Sequence, residues 1–400
     1  MTESTASEME ALIECTDPGK PPTKAGDCLR SLPTDGTDWE RVVALGAAHG
    51  VTPLLSRRLG AAGDRDGDDR WAPDAMVEKL RDRVRSSTMR TLKYADELLK
   101  IVRAFESAGI RSLPFKGPVL AAFSYGDVHL REFGDLDLLV HREDVPAAVD
   151  VLEGLDYAWK ESTPRVDDSA LLGGPFTMPV VDEYQLHRDW STVELRWRVG
   201  DKDRPFHPDF ETLWERRSSV DVTGASVPAL DPIDRLLVLA FHGTKHRWHL
   251  LKWIRDFAGT LERTRIAWGK LFQRARTNRL ERKLLVGIAL ATSLWDVDVP
   301  KIAERNLRAD GRARSLADAI ESDLRAGRTT RPGTIERLRC SLEASDSVRE
   351  SLRSVAGYGP IHPSYPEYRM LPLSGKWHPI YYLLRPVRLV AETAFGTIER

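Results

Sequence analysis

The sequence predicts an α+β protein: a small mixed β-sheet with flanking helices, followed by a mostly α-helical C-terminal region. Three observations predict it. A long stretch from Pro73 to Ala108 carries Leu80, Val84, Met89, Leu92, Ala95, Leu98, Leu99 and Val102 as a helical stripe. Short apolar runs bounded by turn residues come next, with helical patterns between the first of them, an order that builds a mixed sheet. From Pro208 onward the helical period returns and dominates.

Each element follows from local chemistry. Residues 1–36 are polar and acidic, carry Pro21-Pro22 and lack the apolar core of a signal peptide, so they are expected to be disordered. Residues 37–110 form an N-terminal helical region. Val42, Val43, Leu45 and Ala47 mark one short helix, Val51, Leu54 and Leu55 a second beyond Gly50, and the long helix ends at Gly109, a suitable C-terminal cap. The sheet core is expected over 111–200. Its first strand spans Ile110 to Phe115, and Lys116-Gly117-Pro118 turns the chain into a helix over Val119 to Tyr125. A loop carrying His129 and Arg131 leads to a strand over Leu136 to Val140. A helix over Glu143 to Gly154 follows, then strands beginning at Tyr157, Val180 and Ser191, with helices on one side of the sheet. A helical domain occupies 201–325, with Pro232 in the first turn of one helix. Residues 326–400 read as a linker and a Pro/Tyr-rich tail, closed by a helix over 380–395 that Pro386 kinks or divides.

Composition narrows the function classes. The chain has 400 residues, with 59 basic and 60 acidic side chains. This balance lends no support to nucleic acid as a partner, although local patches are compatible with it. Cys15, Cys28 and Cys340 are scattered and odd in number, which suits a reducing compartment and gives no zinc spacing. No stretch approaches the roughly 20 apolar residues of a membrane helix. A soluble, cytoplasmic protein without a membrane partner is the expectation.

The most informative segment is Arg131-Glu-Phe-Gly-Asp135-Leu-Asp137-Leu-Leu-Val140. A strand puts residues i and i+2 on one face, so Asp135 and Asp137 point together while Leu136, Leu138 and Val140 enter a core. Adjacent carboxylates repel unless a cation sits between them, and oxygen-only ligands favour Mg²⁺ or Mn²⁺. A solvated edge strand would show the same alternation. Two metals usually need a third acid on a neighbouring strand. Glu194 is the best candidate, because Glu194, Arg196 and Arg198 share the face opposite Val193, Leu195 and Trp197; Glu183 and Asp189 are rivals. A lysine or arginine plugging the gap between the acids would exclude an ion.

Several cations suit a phosphate. Lys116 and Gly117 lie between a strand and a helix, where backbone N–H groups and the helix dipole attract anions. Arg131 either clamps phosphate from the loop or pairs with Asp135 to hold that loop. Arg196 shares the acidic face. Farther on, Lys245 and His246 lie in His242-Gly-Thr-Lys-His246-Arg-Trp248-His249-Leu-Leu-Lys-Trp253-Ile-Arg-Asp256, a basic and aromatic segment suited to phosphate and base. The same segment also fits a packing role, with Trp248 and Trp253 in the core and Asp256 capping or pairing. His242 and His246 have the i, i+4 spacing of a zinc pair, but Gly243 stands where a metalloprotease carries glutamate.

Taken together, Lys116-Gly117, Tyr125-Gly126, Arg131, Asp135-Leu-Asp137-Leu-Leu-Val140, the Glu194 to Trp197 strand and the His242 to Trp248 helix resemble an uncharacterised bacterial nucleotidyltransferase family. That family belongs to the polymerase-β-like nucleotidyltransferase superfamily. The resemblance spans roughly Trp39 to Thr260 and implies a nucleotidyltransferase core in which Asp135, Asp137 and Glu194 hold metal and act in catalysis. It also implies transfer of a nucleoside monophosphate from an NTP to an acceptor, with release of pyrophosphate. Lys116-Gly117 departs from the Gly-Ser of most of the superfamily, and Arg196 stands where relatives often carry His. The departure keeps a second expectation open: a catalytically inactive nucleotide-binding or scaffold protein that retains the fold. The acceptor is a small molecule, a protein or an RNA.

Overall fold

The computed structural model describes residues 3–19, 37–63, 74–159, 183–200, 206, 208–347, 351, 367, 370, 371, 373 and 375–395. Its architecture is α+β, with a five-stranded mixed sheet and a predominantly helical C-terminal region.

The N-terminal segment corrects the expectation of disorder over 1–36. Glu3–Cys15 forms a helix, α1. Its Met9, Leu12 and Ile13 are buried, and the Trp295 indole donates to the Ile13 carbonyl at 2.9 Å. The i, i+3, i+4 spacing of those three residues was the available signal. Residues 20–36 lie outside the described residues. Helices α2 (Trp39–Ala48) and α3 (Thr52–Gly63) pack beside α1, and α4 (Asp74–Ser107) is the long helix.

The sheet contains β1 (Ser112–Pro114), β2 (Leu136–Val140), β3 (Ala158–Trp159), β4 (Glu183–Arg188) and β5 (Ser191–Arg196), in the order β1-β2-β5-β4-β3. Only the β2–β5 pair is parallel. Helix α5 (Gly117–Tyr125) follows β1, and α6 (Val145–Gly154) follows β2. Leu136, Leu138, Val140, Val193 and Leu195 are buried in one cluster with Leu98, Ile101 and Phe105 of α4 and Val149 and Leu152 of α6. The alternation read from the sequence therefore selects the apolar face, as period-2 patterning requires. The start of the strand expected from Val180, and Lys160, lie outside the described residues.

One element departs from the expected run of helices after Pro208. Helix α7 (Phe210–Arg216) is followed by a hairpin of β6 (Ser218–Val222) and β7 (Ala225–Ala229). Thr223 and Gly224 both have positive φ, 53° and 88°, as a two-residue type I′ turn needs. Val220, Val222, Val227 and Ala229 bury their side chains against the sheet's apolar cluster. The Thr-Gly between alternating valines was a legible hairpin signal.

The remaining helices are α8 (Pro232–Lys245), α9 (Leu251–Glu262), α10 (Trp268–Thr277), α11 (Glu281–Trp295), α12 (Lys301–Ala309), α13 (Gly311–Arg325), α14 (Thr334–Glu343) and α15 (Tyr381–Phe395). Asp231 caps α8, accepting from the Asp234 N–H at 2.7 Å, and Pro232 occupies the first turn. Helix α9 joins the sheet domain through α5: Ser124 and Thr260 hydroxyls lie 2.7 Å apart, and Tyr125 donates to Asp256 at 2.8 Å. No helix among the described residues is long and apolar enough to cross a membrane.

Candidate metal centre

Strand register assembles the acidic group. In the parallel β2–β5 pair, Asp137 stands directly opposite Glu194. Neighbouring strands lie about 4.8 Å apart, so two such carboxylates are shoulder to shoulder. Asp135, immediately before β2, joins them from the same face. Ligand oxygens of Asp135, Asp137 and Glu194 all lie within 4.8 Å of one another. Among the described residues this is the one group of three or more His, Cys, Asp or Glu with metal-ligand spacing. Glu183 pairs instead with Arg196, and Asp189 sits in the β4–β5 turn. His242 and His246 have no third ligand there, which removes the geometric support for zinc.

Crowding changes proton affinity. Burial, then the charge of Asp137, raises the Asp135 pKa. Burial, then Asp137, pushes Glu194 up to about 7. Burial would raise Asp137 as well, but Lys116 and then Arg196 outweigh it and hold that carboxyl below its usual range. Asp137 is only 2% exposed. Its Oδ1 accepts from Lys116 Nζ at 3.0 Å and contacts Arg196 Nε at 3.4 Å. Its Oδ2 is buried and receives no hydrogen bond from an amine, amide or alcohol. A protonated Glu194 carboxyl is also placed to donate to the Asp137 carboxylate. A buried carboxylate oxygen left this way is costly. Three carboxylates that need either a proton or a cation among them fit a hard divalent ion, which oxygen donors prefer.

Two cations already sit on the acidic group, and Arg196 reaches both Asp137 and Glu194. Both approach Asp137 through Oδ1 and leave Oδ2 open. Arg196 also donates to Glu194 at 2.5 Å within β5 and pairs with Glu183 across on β4. Lys116 reaches Asp137 because Phe115 N–H bonds to the Asp137 carbonyl at 3.4 Å, continuing the β1–β2 ladder past its last residue. Gly117 turns the chain into α5 with φ 51°, and a Cβ there would lie 3.3 Å from the Asp135 carbonyl oxygen. A side chain would be strained in that backbone region and crowded against the acidic loop.

Arg131 pairs with Asp256 rather than with the Asp135 expected from the sequence. Its Nε and Nη2 donate to Oδ1 and Oδ2 of Asp256 at 2.8 and 3.0 Å, and both residues are buried. The guanidinium braces the loop that carries Asp135. Asp256 was read only as a cap or pair; no local signal names its partner. Trp248 is fully buried, as the packing reading required, whereas Trp253 is half-buried among His242, His246 and His249 with ring centroids 4.8 to 5.3 Å away. Burial, then Lys245, lowers His246 to about 3, so its imidazole is neutral at pH 7 and brings no charge to a phosphate. Lys245 is half-buried at the end of α8. Charges of Lys116 and Arg196 reach His242, so this aromatic face borders the acidic centre.

A mixed sheet carrying a carboxylate trio beside a lysine turn defines a candidate divalent-cation centre. A model of an uncharacterised nucleotidyltransferase family matches residues 35–296, and the chain belongs to that family. The matched span holds the whole sheet and every acidic and basic residue of the centre. No curated protein and no solved structure matches the chain.

Proposed function

We propose that the protein is a metal-dependent nucleotidyltransferase that moves a nucleoside monophosphate from an NTP to an acceptor and releases pyrophosphate. The observation that carries this reading is the convergence of Asp135, Asp137 and Glu194 around a buried, unpartnered Asp137 oxygen. In this scheme an acceptor hydroxyl oxygen forms a bond to the α-phosphorus as the bond to the β-bridging oxygen breaks, pyrophosphate leaves, and the hydroxyl proton passes to solvent water. Mg²⁺ or Mn²⁺, held by the three carboxylates, would neutralise phosphate charge and acidify the acceptor hydroxyl. Lys116 and Arg196 hold the Asp137 carboxyl ionised and ready to ligate. The β2–β5 register fixes the carboxylate spacing in advance, so little reorganisation is needed.

The test is a screen of the four α-labelled NTPs with Mg²⁺ or Mn²⁺ in cell extract, with pyrophosphate and a labelled product as readouts. Asp137→Asn is expected to reduce transfer at least a hundredfold while the thermal transition persists. Undiminished transfer by that variant would remove the proposed centre. The other reading, an inactive nucleotide-binding or scaffold protein, draws on Lys116-Gly117 in place of Gly-Ser; it predicts nucleotide binding without turnover.

A further inference from the structure

We infer that Lys252 receives the terminal phosphates of the nucleotide donor, an inference that rests on the nucleotidyltransferase reading above. Three cations named from the sequence as phosphate ligands are already paired with carboxylates. Lys116 is on Asp137, Arg196 is on Asp137, Glu194 and Glu183, and Arg131 is on Asp256. A phosphate would have to break an ion pair to use any of them.

Lys252 differs. It is half-buried, and among the described residues its ammonium forms no ion pair. It lies in the first turn of α9, four residues before Asp256 and therefore on the same helical face. Asp256 grips Arg131, which precedes Asp135 by four residues, so that face of α9 is drawn over the loop entering the acidic centre. Burial and then the charge of Arg131 lower the Lys252 pKa, against the charges of Asp256, Glu132 and Asp135, and Asp135 in turn feels Lys252.

The stem is guided from a third region of the chain. The Lys252 N–H donates to the His49 carbonyl at 3.3 Å. The aliphatic chain crosses Gly50, where a Cβ would lie 2.7 Å from Lys252 Cδ and where φ is 68°. A positioned ammonium without an ion-pair partner, on the helix face that Asp256 and Arg131 tie to the loop of Asp135, suits an anion reaching out from a dication held there. The β- and γ-phosphates of a metal-bound triphosphate have that form, and a monophosphate lacks them.

Titration calorimetry on the full-length protein with Mn²⁺ and α,β-methylene NTP analogues tests the inference, with the matching NMPs as comparison. Lys252→Met is expected to weaken triphosphate binding by about ten- to a hundredfold, the range for losing one charged hydrogen-bonded contact. NMP affinity should change less than about twofold, and Lys252→Arg should recover most of the triphosphate affinity, because a charged donor is restored. Wild-type binding with unchanged triphosphate affinity in Lys252→Met would overturn the role of Lys252 and leave the enzyme reading standing. An equal loss for NTP and NMP would assign Lys252 a structural role and also overturn it. No triphosphate binding by wild type would remove the enzyme reading itself, and the inference with it. If Lys252→Met does not fold, Lys252→Gln serves the same comparison.

Discussion

Arg131 and Asp256 form a buried two-point ion pair between residues 125 positions apart in the chain. Tyr125 donates to the same Asp256 carboxylate at 2.8 Å. One acidic side chain thus ties the loop before Asp135 and the end of α5 to α9. The carboxylate face of the sheet is held against the helical region by this contact.

Removing Asp256 leaves a guanidinium and a phenol without their acceptor inside the protein. Asp256→Ala is expected to cost about 3–5 kcal/mol, the range for breaking one side of a buried pair. Urea denaturation of the variant measures it. Asp256→Asn should cost less, because one acceptor oxygen survives. A loss under about 1 kcal/mol in Asp256→Ala would show that water replaces the carboxylate.

The centre should bind metal in competition with protons. Glu194 titrates at about 7 in the folded chain, above the ordinary carboxylate value. A raised carboxylate pKa means the metal-free fold loses stability as pH rises from the ordinary value through about 7. A dication displaces that proton, so its stabilisation should increase over the same window. Thermal shift with 10 mM Mg²⁺ or Mn²⁺ should therefore be larger at pH 8 than at pH 6. Glu194→Gln should flatten the difference.

Histidines give an acid limit of opposite sign. Burial, then His249, lowers His49 to about 4, and its Nδ1 accepts the Leu251 N–H at 3.3 Å. His246 is likewise lowered, to about 3. A depressed histidine pKa contributes stability above the unfolded value of about 6.5 that is lost as pH falls through the folded value. Melting temperature should drop between pH 6.5 and 4. His49→Asn, which keeps an acceptor without titrating there, should lessen the drop; an identical profile would assign the acid sensitivity to other groups.

Gly117→Ala should destabilise by about 1 kcal/mol or more, because alanine is strained at φ 51° and would press on the Asp135 carbonyl. A larger effect is expected on activity, since the same turn aims Lys116 at Asp137. Chemical denaturation and the label-transfer assay on one preparation separate the two.

The amino-acid sequence by itself determined which side chains can share a face. Asp-Leu-Asp-Leu and Val-Glu-Leu-Arg alternate, and a strand's period of two does the rest, so the acids and the core leucines were assignable before any coordinates. Helix ends at Gly109 and Pro232 were legible for the same local reason. Tertiary structure alone decided which strands are neighbours and in what register. The pairing of Asp137 with Glu194 depends on β5 crossing over to lie parallel to β2, and no local pattern encodes that distance. It also decided which cations are engaged: Arg131 had equal claims to a phosphate and to a structural pair until α9 brought Asp256 beside it. Periodicity is a property of neighbours along the chain, whereas ion pairing depends on distance in space, and the fold sets that distance.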